Sequence, residues 1–238
     1  MSSTEIPSGG RTFNLRRGRF SRQREDALAR LYPEYGVTVA PGEVVDLPAL
    51  FGRHAPVVLE IGSGMGESTA RQARADPRRD YLAVEVHPPG IADLLMLVEA
   101  DGLTNLRVFD GDVMRLLEGP LAAESVDVVQ VFFPDPWPKK RHHRRRLIRP
   151  GRIEPLRSRL KPGGLLHCAT DWADYAESML ETMTADPELV NCHDGYAPRP
   201  PRRPTTKFER RGIDAGRQIF DLEFRKVAVT AAADGRAT

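Results

Sequence analysis

The apolar positions of the chain fall into short runs divided by turn residues. The clearest spans residues 126–133, where only Asp127 and Gln130 are polar. Such a run reads as a strand buried on both faces of a parallel sheet. It stops on Pro134-Asp135-Pro136-Trp137-Pro138, and three prolines in five residues cannot continue a ladder. A second run, Val57–Ile61, enters Gly62-Ser63-Gly64-Met65-Gly66, and a helix is predicted from Glu67 to about Ala75. Further strands are predicted over residues 81–86, 106–109, 163–169 and 220–229, the last alternating and so half buried. Helices are predicted over residues 90–100 and 172–185. In the second, Tyr175, Met179, Leu180 and Met183 recur at helical spacing as a core stripe. Residues 25–32 read as a short helix, with Pro33 opening loops that continue through Pro48. Strands alternating with helices predict an α/β class with a doubly wound sheet. Residues 1–25 read as a flexible basic arm, 26–230 as a single domain and 231–238 as a frayed tail.

The 238 residues suffice for one sizeable core, and 40% hydrophobic with 29% charged residues fits a globular chain. The net charge of +2 says nothing about a polyanionic partner, but its distribution does. Seven arginines and two acids lie between Arg11 and Arg30. Eight Lys or Arg and no acid lie between Lys139 and Arg152, and five arginines, one lysine and one acid between Arg199 and Arg211. Three basic segments imply a polarised surface. The two cysteines, Cys168 and Cys192, have no metal-ligand spacing and read as reduced thiols. No apolar run approaches a membrane span, so the cytoplasm is expected, with no metal and no obligate protein partner.

The strand, glycine turn and helix from Val57 onward bring backbone close to a nucleotide-like ligand. The spacing is GxGxG, not the GxGxxG of dinucleotide folds. Glu60 precedes the turn, Glu85 ends the next strand where a carboxylate can accept from ribose hydroxyls, and Asp112 follows the third. Asp135 and Trp137 lie beyond the carboxyl end of their strand, where ligands of open α/β sheets sit. A carboxylate, an aromatic and a cationic strip side by side suggest a reaction on a base of a polyanion. Trp137 can either stack on that base or pack its loop. His142 and His143 are adjacent, a poor arrangement for one metal ion, and read as part of a phosphate-facing strip.

The ExGxGxG run at residues 60–66 resembles the first motif of Rossmann-like S-adenosylmethionine-dependent methyltransferases. With FFPDPWPKKRHH at 132–143, ATDW at 169–172 and RPTTKFERRG at 203–212, the chain resembles the bacterial tRNA (guanine-N7)-methyltransferase family over roughly residues 11–227. The resemblance implies a mostly parallel Rossmann-like methyltransferase sheet with a final antiparallel strand. It implies methyl transfer from S-adenosylmethionine to N7 of guanine 46 in the tRNA variable loop. Position by position, Glu60, Gly62, Gly64, Gly66, Glu85, Asp112 and Asp135 match cofactor-site positions, and Asp135 the catalytic one. Lys139, Asp171, Thr206, Lys207, Phe208 and Glu209 match substrate-binding positions, and Arg141, His142, His143, Arg144, Arg145 and Arg146 the RNA-contacting strip. Asp171 or Glu209 would partner Asp135. One departure is Gly216-Arg217, where the family often has Gly-His. Rival readings are an amino-group methyltransferase, whose prolines would follow the Asp instead of flanking it, a non-catalytic RNA-binding protein, and a nicotinamide oxidoreductase, which the GxGxG spacing disfavours.

Overall fold

The computed structural model describes residues 20–40 and 42–227. Residues 1–19 of the expected arm, and the tail expected over 231–238, lie outside them. Eight strands form one sheet: β1 (Gly36–Val37), β2 (Val57–Ile61), β3 (Asp80–Glu85), β4 (Leu106–Asp110), β5 (Val126–Phe132), β6 (Leu160–Thr170), β7 (Leu189–Asn191) and β8 (Phe220–Lys226). Their order is β1-β4-β3-β2-β5-β6-β8-β7. Pairs from β1 through β6 are parallel, and β8 runs antiparallel to both β6 and β7. The chain starts the central sheet at β2, builds outward through β3 and β4, then returns to place β5 on the other side of β2. That reversal opens a crevice beyond the carboxyl ends of these strands.

Helices cover both faces, as central strands buried at every position require. Val57, Leu59 and Ile61 pack with Leu82 and Val84 against α5 (Val113–Leu117), α6 (Ile153–Arg159) and α7 (Ala173–Thr184), whose Tyr175, Met179 and Met183 are the expected stripe. Val58, Tyr81 and Ala83 pack on the other face against α3 (Glu67–Ala75) and α4 (Pro88–Asp101). Beyond α4 lies α1 (Arg22–Tyr35), which buries Ala27 and Leu31. Two short helices complete the count among the described residues: α2 (Leu47–Phe51) and α8 (Lys207–Asp214).

Several boundaries differ from expectation. Helix α1 begins at Arg22, capped by the Ser21 side chain, and runs past Pro33 to Tyr35. A proline removes one helical hydrogen bond. Here it sits exposed in the last turn, while Arg24–Asp93 (2.7 Å) and Arg30–Glu99 ion pairs fasten the helix to α4. Strand β6 starts early, at Leu160, because the register shifts between Val126 and Val128 and accommodates Pro162 and Gly163. Strand β8 ends at Lys226, and Ala228 and Val229 lie outside the described residues.

One face of the β5–β6–β8 half carries polar positions instead of apolar ones: Gln130, His167, Asp221 and Glu223. No helix with an apolar stripe could cover them. Asp221 and Glu223 are instead matched by the segment before α8. Arg203 donates to Asp221 through Nε and Nη2 (2.9 Å each), and Arg202 pairs with Glu223 at 2.5 Å. His167 Nε2 lies 2.9 Å from Asp221. Cys168 is buried in β6 and Cys192 is exposed, neither in a disulfide. No helix of the described residues is long and apolar enough to cross a membrane.

Candidate functional site

Two adjoining clefts lie at the carboxyl ends of β2 to β5. The glycine turn between β2 and α3 forms their shared wall. Gly62, Gly64 and Gly66 have φ of +81°, +61° and +78°, which side chains rarely adopt. Close packing demands the same residue type. A Cβ on Gly66 would stand 2.5 Å from Leu94 Cβ, and one on Gly90 would run into the Gly64 carbonyl. Helix α4 is thus seated directly on the turn. Glu85 is the counterpart at the end of β3. Its carboxylate accepts from the backbone N–H groups of Gly64 (2.6 Å), Val86 (2.7 Å) and His87 (3.0 Å). Burial raises its pKa, and these three donors oppose the rise.

The first cleft, about 260 Å³, has apolar walls from Val84, Val86, Val113, Phe133 and Leu147, and the acids Glu85, Asp112 and Asp135. Asp112 caps α5 by accepting from Met114 N–H at 3.0 Å. Two polar atoms beside the clefts, Ser63 Oγ and His87 Nε2, are buried without a hydrogen-bond partner among the described residues. The second cleft, about 310 Å³, lies between the glycine turn and residues 204–208. Phe208 is 45% exposed and borders both.

Glu60 is buried under the turn, on the α3 face of β2. Thr69 stands beside it, Gln72 Nε2 reaches it at 3.5 Å, and Gln130 Nε2 donates to Gln72 Oε1 at 3.0 Å. Burial pushes its pKa up to about 7; the adjacent Thr69 hydroxyl opposes this and the charge of Glu85 adds to it.

The loop that carries Asp135 is tightly constrained. Phe133 and Trp137 have φ of +51° and +47°, a conformation that non-glycine residues hold only when surroundings over-determine it. Trp137 is buried, with the Arg145 guanidinium 4.9 Å from its ring centroid and His142 edge-on at 5.9 Å. Its place is packing of the loop. A 3-10 turn, Lys140–Arg145, follows. Lys139, Lys140, Arg141 and Arg144 point outward. His143 lies 3.8 Å from Asp174. Arg146 departs from the expected strip: it is only 2% exposed, donates to Pro136 O at 2.9 Å, pairs with Asp174 and covers the Tyr175 ring. A guanidinium that satisfies a loop carbonyl, a carboxylate and an aromatic face is an anchor for the proline loop.

The TTKFE segment is also sorted by the structure. Thr206 and Glu209 form a reciprocal capping box that starts α8. Lys207 stays exposed on the second cleft. Glu209 turns inward, fully buried, with both oxygens accepting from Arg203 (2.8 and 3.0 Å) and from Arg199 (3.4 and 2.7 Å). Burial alone would raise its pKa, but the two arginines hold it below the ordinary value. Asp171 pairs with Arg217 at 2.9 Å, so the residue at the Gly-His departure is engaged with an expected site acid. The clefts therefore bring together Glu60, Gly62, Gly64, Gly66, Glu85, Asp112, Asp135, Thr206, Lys207 and Phe208. Asp171, Lys139 and Arg141 to Arg146 line neither. Gly90 and Arg203 were not legible as determinants of the site; a glycine in a first helical turn and polar residues inside apolar strands were the available signals.

Residues 54–222 match a protein family described as "Putative methyltransferase". The chain is 52% identical over 216 residues to a tRNA (guanine-N(7)-)-methyltransferase of Nitrosospira multiformis, covering 91% of this chain and 94% of that protein. It is likewise 52% identical over 221 residues to one of Halorhodospira halophila, covering 92% and 96%. Among solved structures, the 16S rRNA methyltransferase KamB shares the fold with a TM-score of 0.57 at 18% identity, covering 78% of this chain and 95% of that one.

Two outcomes follow from the packing of the turn. Alanine normally exceeds glycine in a helix by about 1 kcal/mol. Gly90→Ala should nevertheless lower stability, since overpacking costs about 1–3 kcal/mol. A variant as stable as the parent in urea titrations would show that the turn yields. Native Glu60 keeps its proton up to about pH 7, while the unfolded chain releases it near 4.5. The unfolded state thus binds fewer protons in that window, and stability falls as pH rises through it, by at most about 1.4 kcal/mol per unit. Glu60→Gln should gain on the parent between those pH values and run parallel above them; a pH-independent difference would defeat the assignment.

Proposed function

The chain belongs to the tRNA (guanine-N7)-methyltransferase family, and from that premise we propose that it methylates N7 of guanine 46 in the tRNA variable loop, using S-adenosylmethionine. The observation that carries this reading is the meeting of an apolar-walled cleft that bears Glu85 and Asp112 with the constrained Asp135 loop, directly before an outward cationic turn. The first cleft fits the cofactor. Its apolar walls suit an adenine, and Glu85 retains acceptor capacity for ribose hydroxyls. His87 Nε2, on the wall of this cleft, would gain the partner it lacks. When bound, the cofactor supplies an electrophilic methyl group on a sulfonium.

Guanine N7 carries an in-plane lone pair and no proton, so the protein needs no general base. Its task is to hold the base in line with the S–CH₃ bond, and positioning of this kind lowers barriers by several kcal/mol, up to about 7–11 in model systems. Methylation makes the purine positive and sharpens N1–H and the exocyclic amine as donors. Asp135, on the cleft wall, accepts from that edge and favours the charged product. Asp135 lines the first cleft, whereas Glu209 and Asp171 line neither cleft, so the role falls to Asp135, with Glu209 holding the segment that presents Phe208. Outward Lys139, Lys140, Arg141 and Arg144 would take RNA phosphates, giving affinity without sequence information. Folded tRNA often engages guanine N7 in tertiary pairing, so the base must be drawn out.

Incubation with labelled S-adenosylmethionine and unmodified tRNA, followed by nucleoside mass spectrometry and site mapping, should yield 7-methylguanosine at position 46. A different methylated nucleoside would overturn the chemistry, and 7-methylguanosine elsewhere would overturn the position. Asp135→Asn should lower kcat by about 10²-fold or more while tRNA still binds. Full turnover in that variant would remove Asp135 from the mechanism.

A further inference from the structure

The outward cations after Asp135 occupy one side of the site. The second cleft has a cationic wall of its own. Arg71, one turn into α3, lines it from one side, and Lys207 and Arg211 of α8 from the other. All three are exposed, and none has an ion pair among the described residues. Their neighbours behave differently. Arg74, the next arginine on α3, pairs with Asp101 at 3.1 Å, and Arg199 and Arg203 are taken up by Glu209.

Two acids also line this cleft. Glu67 is exposed at the first turn of α3, and Glu60 lies buried beneath the glycine turn. The open part is therefore cationic on balance. Three aromatics, Phe132, Phe133 and the exposed Phe208, join the glycine turn and residues 204–206 in its lining. Guanidinium forks match phosphate oxygens, and aromatic faces take unstacked bases. Cations that converge on one opening and outnumber its acids suit an incoming anion.

We propose that the second cleft seats a backbone phosphate of the nucleotide flanking the target guanine, held by Arg71 from α3 and Arg211 from α8, with Lys207 beside them. This rests on the tRNA reading above. The RNA would then be gripped on both sides of the reacting base, by the turn after Asp135 and by this clamp. A carboxylate of the cofactor is the competing anion, but it needs one cation, and three are presented, all open to solvent.

The test measures tRNA affinity against salt concentration for the parent, Arg71→Gln/Arg211→Gln and an Arg74→Gln control, with S-adenosylmethionine affinity measured by calorimetry. Losing one phosphate contact should reduce the magnitude of the log–log salt slope by about 0.7–0.9 in the double variant. The control should keep the parental slope, because Arg74 is paired and lines neither cleft. The double variant should raise KM for tRNA, keep kcat and leave cofactor affinity unchanged. An unchanged slope overturns the clamp. Weaker cofactor binding with an unchanged slope overturns it in favour of the cofactor carboxylate. A parent that neither binds nor methylates tRNA defeats the tRNA reading itself, a result separable from a parent that methylates while the variants bind alike.

Discussion

Arg203 is 1% exposed, and its guanidinium spans two carboxylates, Asp221 on β8 and Glu209 on α8. Charges taken out of water are tolerated only when their donors and acceptors are matched, and here four hydrogen bonds of 2.8–3.0 Å do so. The same group lies over the rings of Phe132 and Phe133. It thus joins the end of β5, strand β8 and the start of α8. Glu209 is at once a partner of Arg203 and half of the capping box, so the ion pair also sets where α8 begins and brings Phe208 to both clefts.

The rest of the site is preorganised by backbone. Three N–H groups fix the Glu85 carboxylate, and α4 presses its Gly90 against the glycine turn. The Asp135 loop is held by prolines, by buried Trp137 and by Arg146 beneath it. A donor and an acceptor base must meet in line, and a loop so braced loses little entropy when they do.

The lysines and arginines of the chain serve two different ends. Arg24, Arg30, Arg146, Arg199, Arg202 and Arg203 pair with carboxylates of the fold. Lys139, Lys140, Arg141, Arg144, Arg71, Lys207 and Arg211 face solvent. In a linear sequence both kinds look alike, because a run of cations carries no mark of which members meet an acid distant in the chain.

What the sequence determined by itself was local. The apolar runs 57–61 and 126–133 specified central strands through their near-continuous apolar character, the glycines of 62–66 specified a positive-φ turn, and the prolines of 134–138 ended β5 and placed Asp135 at the crevice. These depend on neighbours a few residues away, so short-range pattern reveals them. Tertiary structure alone decided that Glu60 sits beneath the turn instead of lining it, that Arg146 and Glu209 turn inward, and that Pro33 lies within a helix. It also decided that Gly90 must be glycine because Gly64 passes over it. Each of these is a contact between residues far apart in the chain or a choice between burial and solvent, and burial is a property of the assembled layers, not of any one segment.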